Sequence, residues 1–139
     1  MPYKTFETES RVRPDDIDMY KHVHVSKYLD YVLAARYDQM ERCYGMGMEE
    51  FFDRGFGWLV RGVQVDYKRP LLMSDYFIVS TRIESIEEKK CRVKFSIRNK
   101  ANNKVSCDGW FDFALIDLQS AKGVLIPQDV IEHYTRLVE

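Results

Sequence analysis

The stretch that most restricts the fold lies between positions 28 and 37, where Tyr28, Leu29, Tyr31, Val32, Leu33, Ala34, Ala35 and Tyr37 are interrupted only by Asp30 and Arg36. It sits inside the strongest helical segment of the chain, residues 26 to 43, which stops at Gly45 and Gly47. A helix apolar on nearly every side has no broad polar stripe to offer water, so other elements must wrap it.

Strands are the available cover. Residues 61 to 67 place Val63, Val65 and Tyr67 on one face and Gly62, Gln64 and Asp66 on the other, the period of a half-buried strand, which Pro70 closes. Residues 76 to 86 and 91 to 98 flank the charged turn Glu87-Glu88-Lys89-Lys90 and form a hairpin. After the Asn102-Asn103 turn, residues 105 to 118 are apolar on both faces near their end, as a central strand is. A first strand is expected over residues 3 to 13, before the turn signal Pro14-Asp15-Asp16, and a short helical piece over 48 to 54, ending at Gly55. After Ile126-Pro127, Val130, Ile131, Tyr134 and Leu137 recur at helical spacing. The order predicts an α+β fold: an antiparallel sheet of about five strands wrapped around one long central helix.

Composition narrows the function classes. At 139 residues, 45% apolar and 14% aromatic, the chain has material for one core, and with no linker or repeat it reads as a single domain spanning 1–139. Lys plus Arg, 21, nearly balance Asp plus Glu, 22, which argues against a nucleic-acid partner. No stretch approaches the ~18 apolar residues of a membrane helix, and Met1-Pro2-Tyr3-Lys4 lacks the apolar core of a signal peptide, so the expectation is a cytoplasmic protein without membrane insertion. Cys43, Cys91 and Cys107 have no CxxC spacing, so they read as reduced, mostly buried small side chains.

The segment that carries chemistry is Asp16-Ile17-Asp18-Met19-Tyr20-Lys21-His22-Val23-His24-Val25-Ser26-Lys27-Tyr28, directly before the long helix. It resembles the pattern Asp-x-Asp-x-x-Gly-His-Val-Asn-Asn-x-x-Tyr of the hot-dog acyl-CoA thioesterases related to 4-hydroxybenzoyl-CoA thioesterase. Asp66-Tyr67-Lys68-Arg69-Pro70 with Asp75, and Ile116-Asp117-Leu118 before Ile126-Pro127, extend the likeness over essentially the whole chain. The resemblance implies a hot-dog fold and hydrolysis of an acyl-CoA or acyl carrier protein thioester, with no cofactor beyond the coenzyme A of the substrate. It makes Asp18 the catalytic carboxylate, as nucleophile or as general base. It aligns Val25 with the position whose backbone N–H serves as oxyanion donor, and His22, retained from the pattern, is expected to orient or hydrogen-bond near Asp18. It also implies a homo-oligomer, a dimer or a pair of dimers, with active sites between protomers. Lys21, His24 and Val25 depart from the pattern's glycine and paired asparagines.

Elementary chemistry agrees. Thioester hydrolysis needs a nucleophile or base and donors for the charge that develops on the carbonyl oxygen. A helix N-terminus offers unpaired N–H groups and a positive dipole end. Asp18, seven residues ahead of Val25, reaches the other side of that carbonyl if the loop folds back.

For substrate contacts the candidates are His24, Tyr28 and Arg69, with Lys89 and Lys90 at the hairpin where the family often meets CoA phosphates; Arg61, Lys68 and Arg92 are equally open. Plainer readings stand beside these. Asp18 can be a helix-flanking carboxylate, Lys89 and Lys90 a solvated tip diluted by Glu87 and Glu88, and Tyr28, Tyr31 and Tyr37 core packing with one ring along an acyl slot. Asp15 and Asp16 read as turn residues. A metal site at His22 and His24 lacks further ligands, so no metal is expected. Asp18 with His22 also permits a hot-dog hydratase or dehydratase, and the motif departures a non-catalytic acyl-CoA-binding module.

Overall fold

In the computed structural model, which describes residues 3–136, the chain forms one antiparallel sheet with its long helix packed on one face. The strands are β1 (Phe6–Arg11), β2 (Phe56–Tyr67), β3 (Tyr76–Glu87), β4 (Lys90–Asn99) and β5 (Val105–Asp117), in the order β1-β3-β4-β5-β2. Helix α1 (Val25–Arg42) follows β1, the short α2 (Met48–Asp53) precedes β2, and α3 (Gln128–Thr135) closes the fold. Leu137, assigned above to the last helix, lies outside the described residues. No helix of the described residues is long and apolar enough to cross a membrane.

The alternation in β3 and β4 sorts the sheet into two faces. Phe77, Val79 and Ile83 with Cys91, Val93, Phe95 and Ile97 turn inward and are buried, while the outward Arg98 and Arg92 pair with Glu7 and Asp112. The β3–β4 hairpin turns where Glu87 pairs with Lys90, as the charged turn predicts. On β5 the burial of Cys107, Phe111, Ala114 and Leu115 fits its expected central position. At Gly109 a Cβ would stand 1.8 Å from the Gln64 carbonyl oxygen, so only glycine lets β5 lie against β2 there.

Two expectations need correction. Strand β2 begins at Phe56 rather than near Arg61. A register shift between Val60 and Gly62 inserts one residue, so Phe56, Trp58 and Val60 fall on the same face as Val63, Val65 and Tyr67; such a bulge hides a strand from a strict period of two. The wrapping of α1 is also incomplete. Tyr28, Val32, Ala35, Arg36, Gln39 and Met40 are buried, but Leu33 and Tyr37 stay exposed. The helix lies over β1 and β3, and the β2 side of the same face stays open, with Val60 and Val63 about two-fifths exposed.

Candidate active site

The segment after β1 folds back on itself. A 3-10 turn at Pro14–Asp16 leads into a tight hairpin whose legs meet at Ile17 and Val23. Asp18 N–H donates to the His22 carbonyl at 2.8 Å and Lys21 N–H to the Asp18 carbonyl at 3.0 Å. Lys21 takes φ +64°, the left-handed position that hairpins of this form favour filling with glycine. The glycine of the resembled pattern falls at this position, where Lys21 stands in this chain. Three further bonds moor the hairpin: Val23 N–H to the Leu71 carbonyl at 2.9 Å, Met73 N–H to the Lys21 carbonyl at 3.0 Å, and His24 N–H to the Asp16 carbonyl at 2.9 Å.

Asp18 is oriented by its own turn. Its Oδ1 accepts the Tyr20 N–H at 2.8 Å and the His22 N–H at 3.2 Å, the self-closing geometry that aspartate favours in turns. Among the described residues its Oδ2 accepts no hydrogen bond. Desolvation pushes the carboxyl pKa up, but the two N–H donors, with His22 and His24 nearby, outweigh it and hold the group below the ordinary aspartate range. His22 therefore reaches Asp18 through its main chain, while its residue is exposed.

Two residues after Val23 the backbone enters α1. His24, the residue before it, is exposed, has φ −56° and ψ 137°, and makes no side-chain capping bond. Among the described residues neither the Val25 nor the Ser26 N–H finds an acceptor. Unpaired donors and the positive end of the helix dipole thus sit beside the hairpin that carries Asp18. From β2, the Tyr67 hydroxyl donates to the Val25 carbonyl at 3.4 Å, which brings the end of that strand to the same place.

The other residues singled out by sequence fall into three situations. Tyr28 is 4% exposed, and its hydroxyl accepts the Leu71 N–H at 2.9 Å, which moors the loop after β2 to the helix. Arg69, two residues past Tyr67, is exposed at the Asp18 end and donates to the Val105 carbonyl at 3.1 Å. Lys89 and Lys90 stand at the far end of β3, whose near end follows the Leu72–Met73 loop that bonds the Asp18 hairpin; at ~3.3 Å per residue the strand separates them by roughly 36 Å within one protomer.

Asp16 was read as a turn residue and Arg36 as a helix charge, and the structure adds a buried contact to each. Asp16 belongs to the 3-10 turn, yet it is buried, and its Oδ2 accepts the Tyr31 hydroxyl at 2.7 Å. Burial and that carboxylate together push the Tyr31 pKa up. The first aspartate of the Asp-x-Asp pattern was the available signal. Arg36, counted above as a helix charge, points into the interior, as does Gln39. Beyond them lies a cavity of about 310 Å³ between α1 and the open β2 side, lined by Leu33, Arg36, Tyr37 and Met40 from the helix, by Trp58 and Val60 from β2, and by Val93 and Phe113 from the sheet.

Comparison with known proteins adds an independent line. The family described as the thioesterase-like superfamily matches residues 12–133. The long-chain acyl-CoA thioesterase FadM of Escherichia coli is 23% identical over 133 residues, covering 96% of this chain and 99% of that protein. A DHNA-CoA thioesterase from Staphylococcus aureus superposes with a TM-score of 0.88 at 19% identity, over 95% of this chain and 89% of the other. A hypothetical protein from the same organism, described in complex with CoA, gives 0.85 at 15% identity, over 100% of this chain and 89% of the other. The five-stranded antiparallel sheet with its long helix is the hot-dog fold these proteins share.

Proposed function

The chain belongs to the thioesterase-like superfamily, and we propose that it hydrolyses the thioester of an acyl-CoA, or of an acyl carrier protein, to a free acid and a thiol. One observation carries the reading: the Asp18 carboxylate, fixed through Oδ1 and open at Oδ2, is folded back beside a helix start whose first N–H groups are unbonded. The thioester carbonyl oxygen takes the Val25 N–H, and Oδ2 attacks the carbonyl carbon or removes a proton from the attacking water. The negative charge that forms on the oxygen is met by donors already in place. The thiolate leaves without a strong general acid. Arg69 and His24 border the mouth of this site, and the acyl group runs between α1 and β2 toward the cavity.

The same reading includes a homodimer. The two sheet edges differ: β1 has six residues, with Glu7 and Glu9 paired to Arg98 and Lys100. Edge β2 has twelve residues and exposes Leu59, Val60, Val63 and Tyr67. Charge guards an edge and exposed apolar side chains invite pairing, so β2 is the edge that joins two sheets, with active sites between protomers and Lys89 and Lys90 available to CoA phosphates only across such a boundary. A tetramer would pair two such dimers. A cytoplasmic location belongs to the same proposal.

Thiol release from a panel of acyl-CoAs tests the activity. Asp18→Asn is expected to lower kcat by about 10² to 10⁴-fold with folding retained; turnover equal to wild type would remove Asp18 from the chemistry. Tight acyl-CoA binding without thiol release by the wild type would instead mark a binding module.

A further inference from the structure

The cavity beside α1 contains a charge that the described residues leave unmatched. Arg36 is 6% exposed, and among the described residues only its Nη1 is engaged, donating to the Tyr44 and Thr81 hydroxyls at 3.2 Å each. One face of the guanidinium lies 4.7 Å from the centre of the Tyr44 ring. Among the described residues no carboxylate comes within 4.0 Å of it, and Nε and Nη2 have no acceptor. Trp58 lines the same cavity, but its indole Nε1, without a partner among the described residues, is closed off from that space. Leu33, Met40, Val60 and Phe113 complete the wall with apolar surface. Covering such a cation without giving it an acceptor is unfavourable, and a ligand oxygen that enters the cavity relieves it.

We propose that this cavity receives the far end of the acyl chain and selects chains that end in a carboxylate. The inference rests on the acyl-CoA reading of the Asp18 site. Arg36 follows Val25 by eleven positions on one helix, so it lies about 16 Å along α1 from the oxyanion donor. Leu29 and Leu33, four residues apart, share the helix stripe between them. A medium-length chain whose carbonyl sits at Val25 therefore brings its other end to the guanidinium. The planar fork of arginine suits a carboxylate. A methyl terminus would instead cover Nε and Nη2 without satisfying them, which turns the site against plain alkyl chains.

The test compares kcat/KM for acyl-CoAs of equal length with and without a terminal carboxylate, in wild type and Arg36→Met. Wild type is expected to favour the carboxylate-ended substrate by about tenfold or more, and the ratio to collapse to one or below in the variant. A wild-type preference for the unsubstituted chain, or a variant that keeps the carboxylate preference, would overturn the proposal. Calorimetry on the wild-type protein with the matching non-hydrolysable thioethers keeps the question open to refutation if Arg36→Met does not fold. Tighter binding of the carboxylate-ended thioether supports the site even where no acyl-CoA is hydrolysed. Equal or weaker binding refutes it whatever the hydrolysis result.

Discussion

Asp18 is held as an anion by donors within its own turn, and this determines the response to acid. Its folded pKa lies below the ordinary aspartate value because the Tyr20 and His22 N–H groups stabilise the charged form. The stability it contributes is complete above the unfolded pKa, about 3.9, and is lost as pH falls through the lower folded value. Activity that needs the ionised carboxylate is therefore expected to hold from neutral pH down past about 4, and a pH profile of kcat/KM checks this; an acid limb centred near 6 would assign the essential group elsewhere. Lys21, in the left-handed region at φ +64°, offers a second test. A side chain there costs roughly 1–2 kcal/mol, so Lys21→Gly is expected to raise the urea-unfolding free energy by about 1 kcal/mol while Asp18 keeps its turn. The loop that holds Asp18 was legible as a segment directly ahead of a recognisable helix. Arg36 was not, because an arginine in an apolar run looks the same in sequence whether it faces solvent or a cavity.

At the level of elements, the start of α1 carries the oxyanion argument, and it can be altered without changing any side-chain role. Val25 is the first helical residue and His24 before it is extended, with ψ 137°. Proline is accepted at that helix position and after an extended residue, and it removes one N–H. Val25→Pro is thus expected to retain the thermal midpoint within a few degrees and to lose about 10² to 10³-fold in kcat, measured by thiol release beside a melting curve. Unchanged kcat would mean that another donor meets the carbonyl. Elements with clean alternation were legible to within a residue or two: β3, β4 and their hairpin, and α1, which begins at Val25 where position 26 was expected. Strand β2 was half legible, because its bulge at Arg61 breaks the period. The approach of the Tyr67 hydroxyl to the helix start depends on sheet order, and no local pattern encodes it.

At the scale of the molecule, the apolar all-round character of α1 predicted complete wrapping, yet one chain leaves Leu33 and Tyr37 exposed beside an open β2 edge. The proposed dimer would supply that cover, with a second copy closing over Leu33, Tyr37 and the β2 edge. Val63 lies on that edge and is 43% exposed. A charge there opposes strand pairing, so Val63→Glu is expected to shift the sedimenting species from dimer to monomer and to lower activity with it; a wild-type protein that sediments as a monomer would refute the joined-sheet assembly. The central claim is that Asp18 and the start of α1 face the same carbonyl, in one protomer or across two. A crystal structure with an acyl-CoA ketone analogue, in which a methylene replaces the sulfur, tests it most directly. The account predicts the ketone oxygen about 3 Å from the Val25 nitrogen, with Asp18 Oδ2 facing the carbonyl carbon. A ketone whose oxygen points to solvent, with neither Asp18 nor a Val25 N–H of any subunit beside it, would contradict the account.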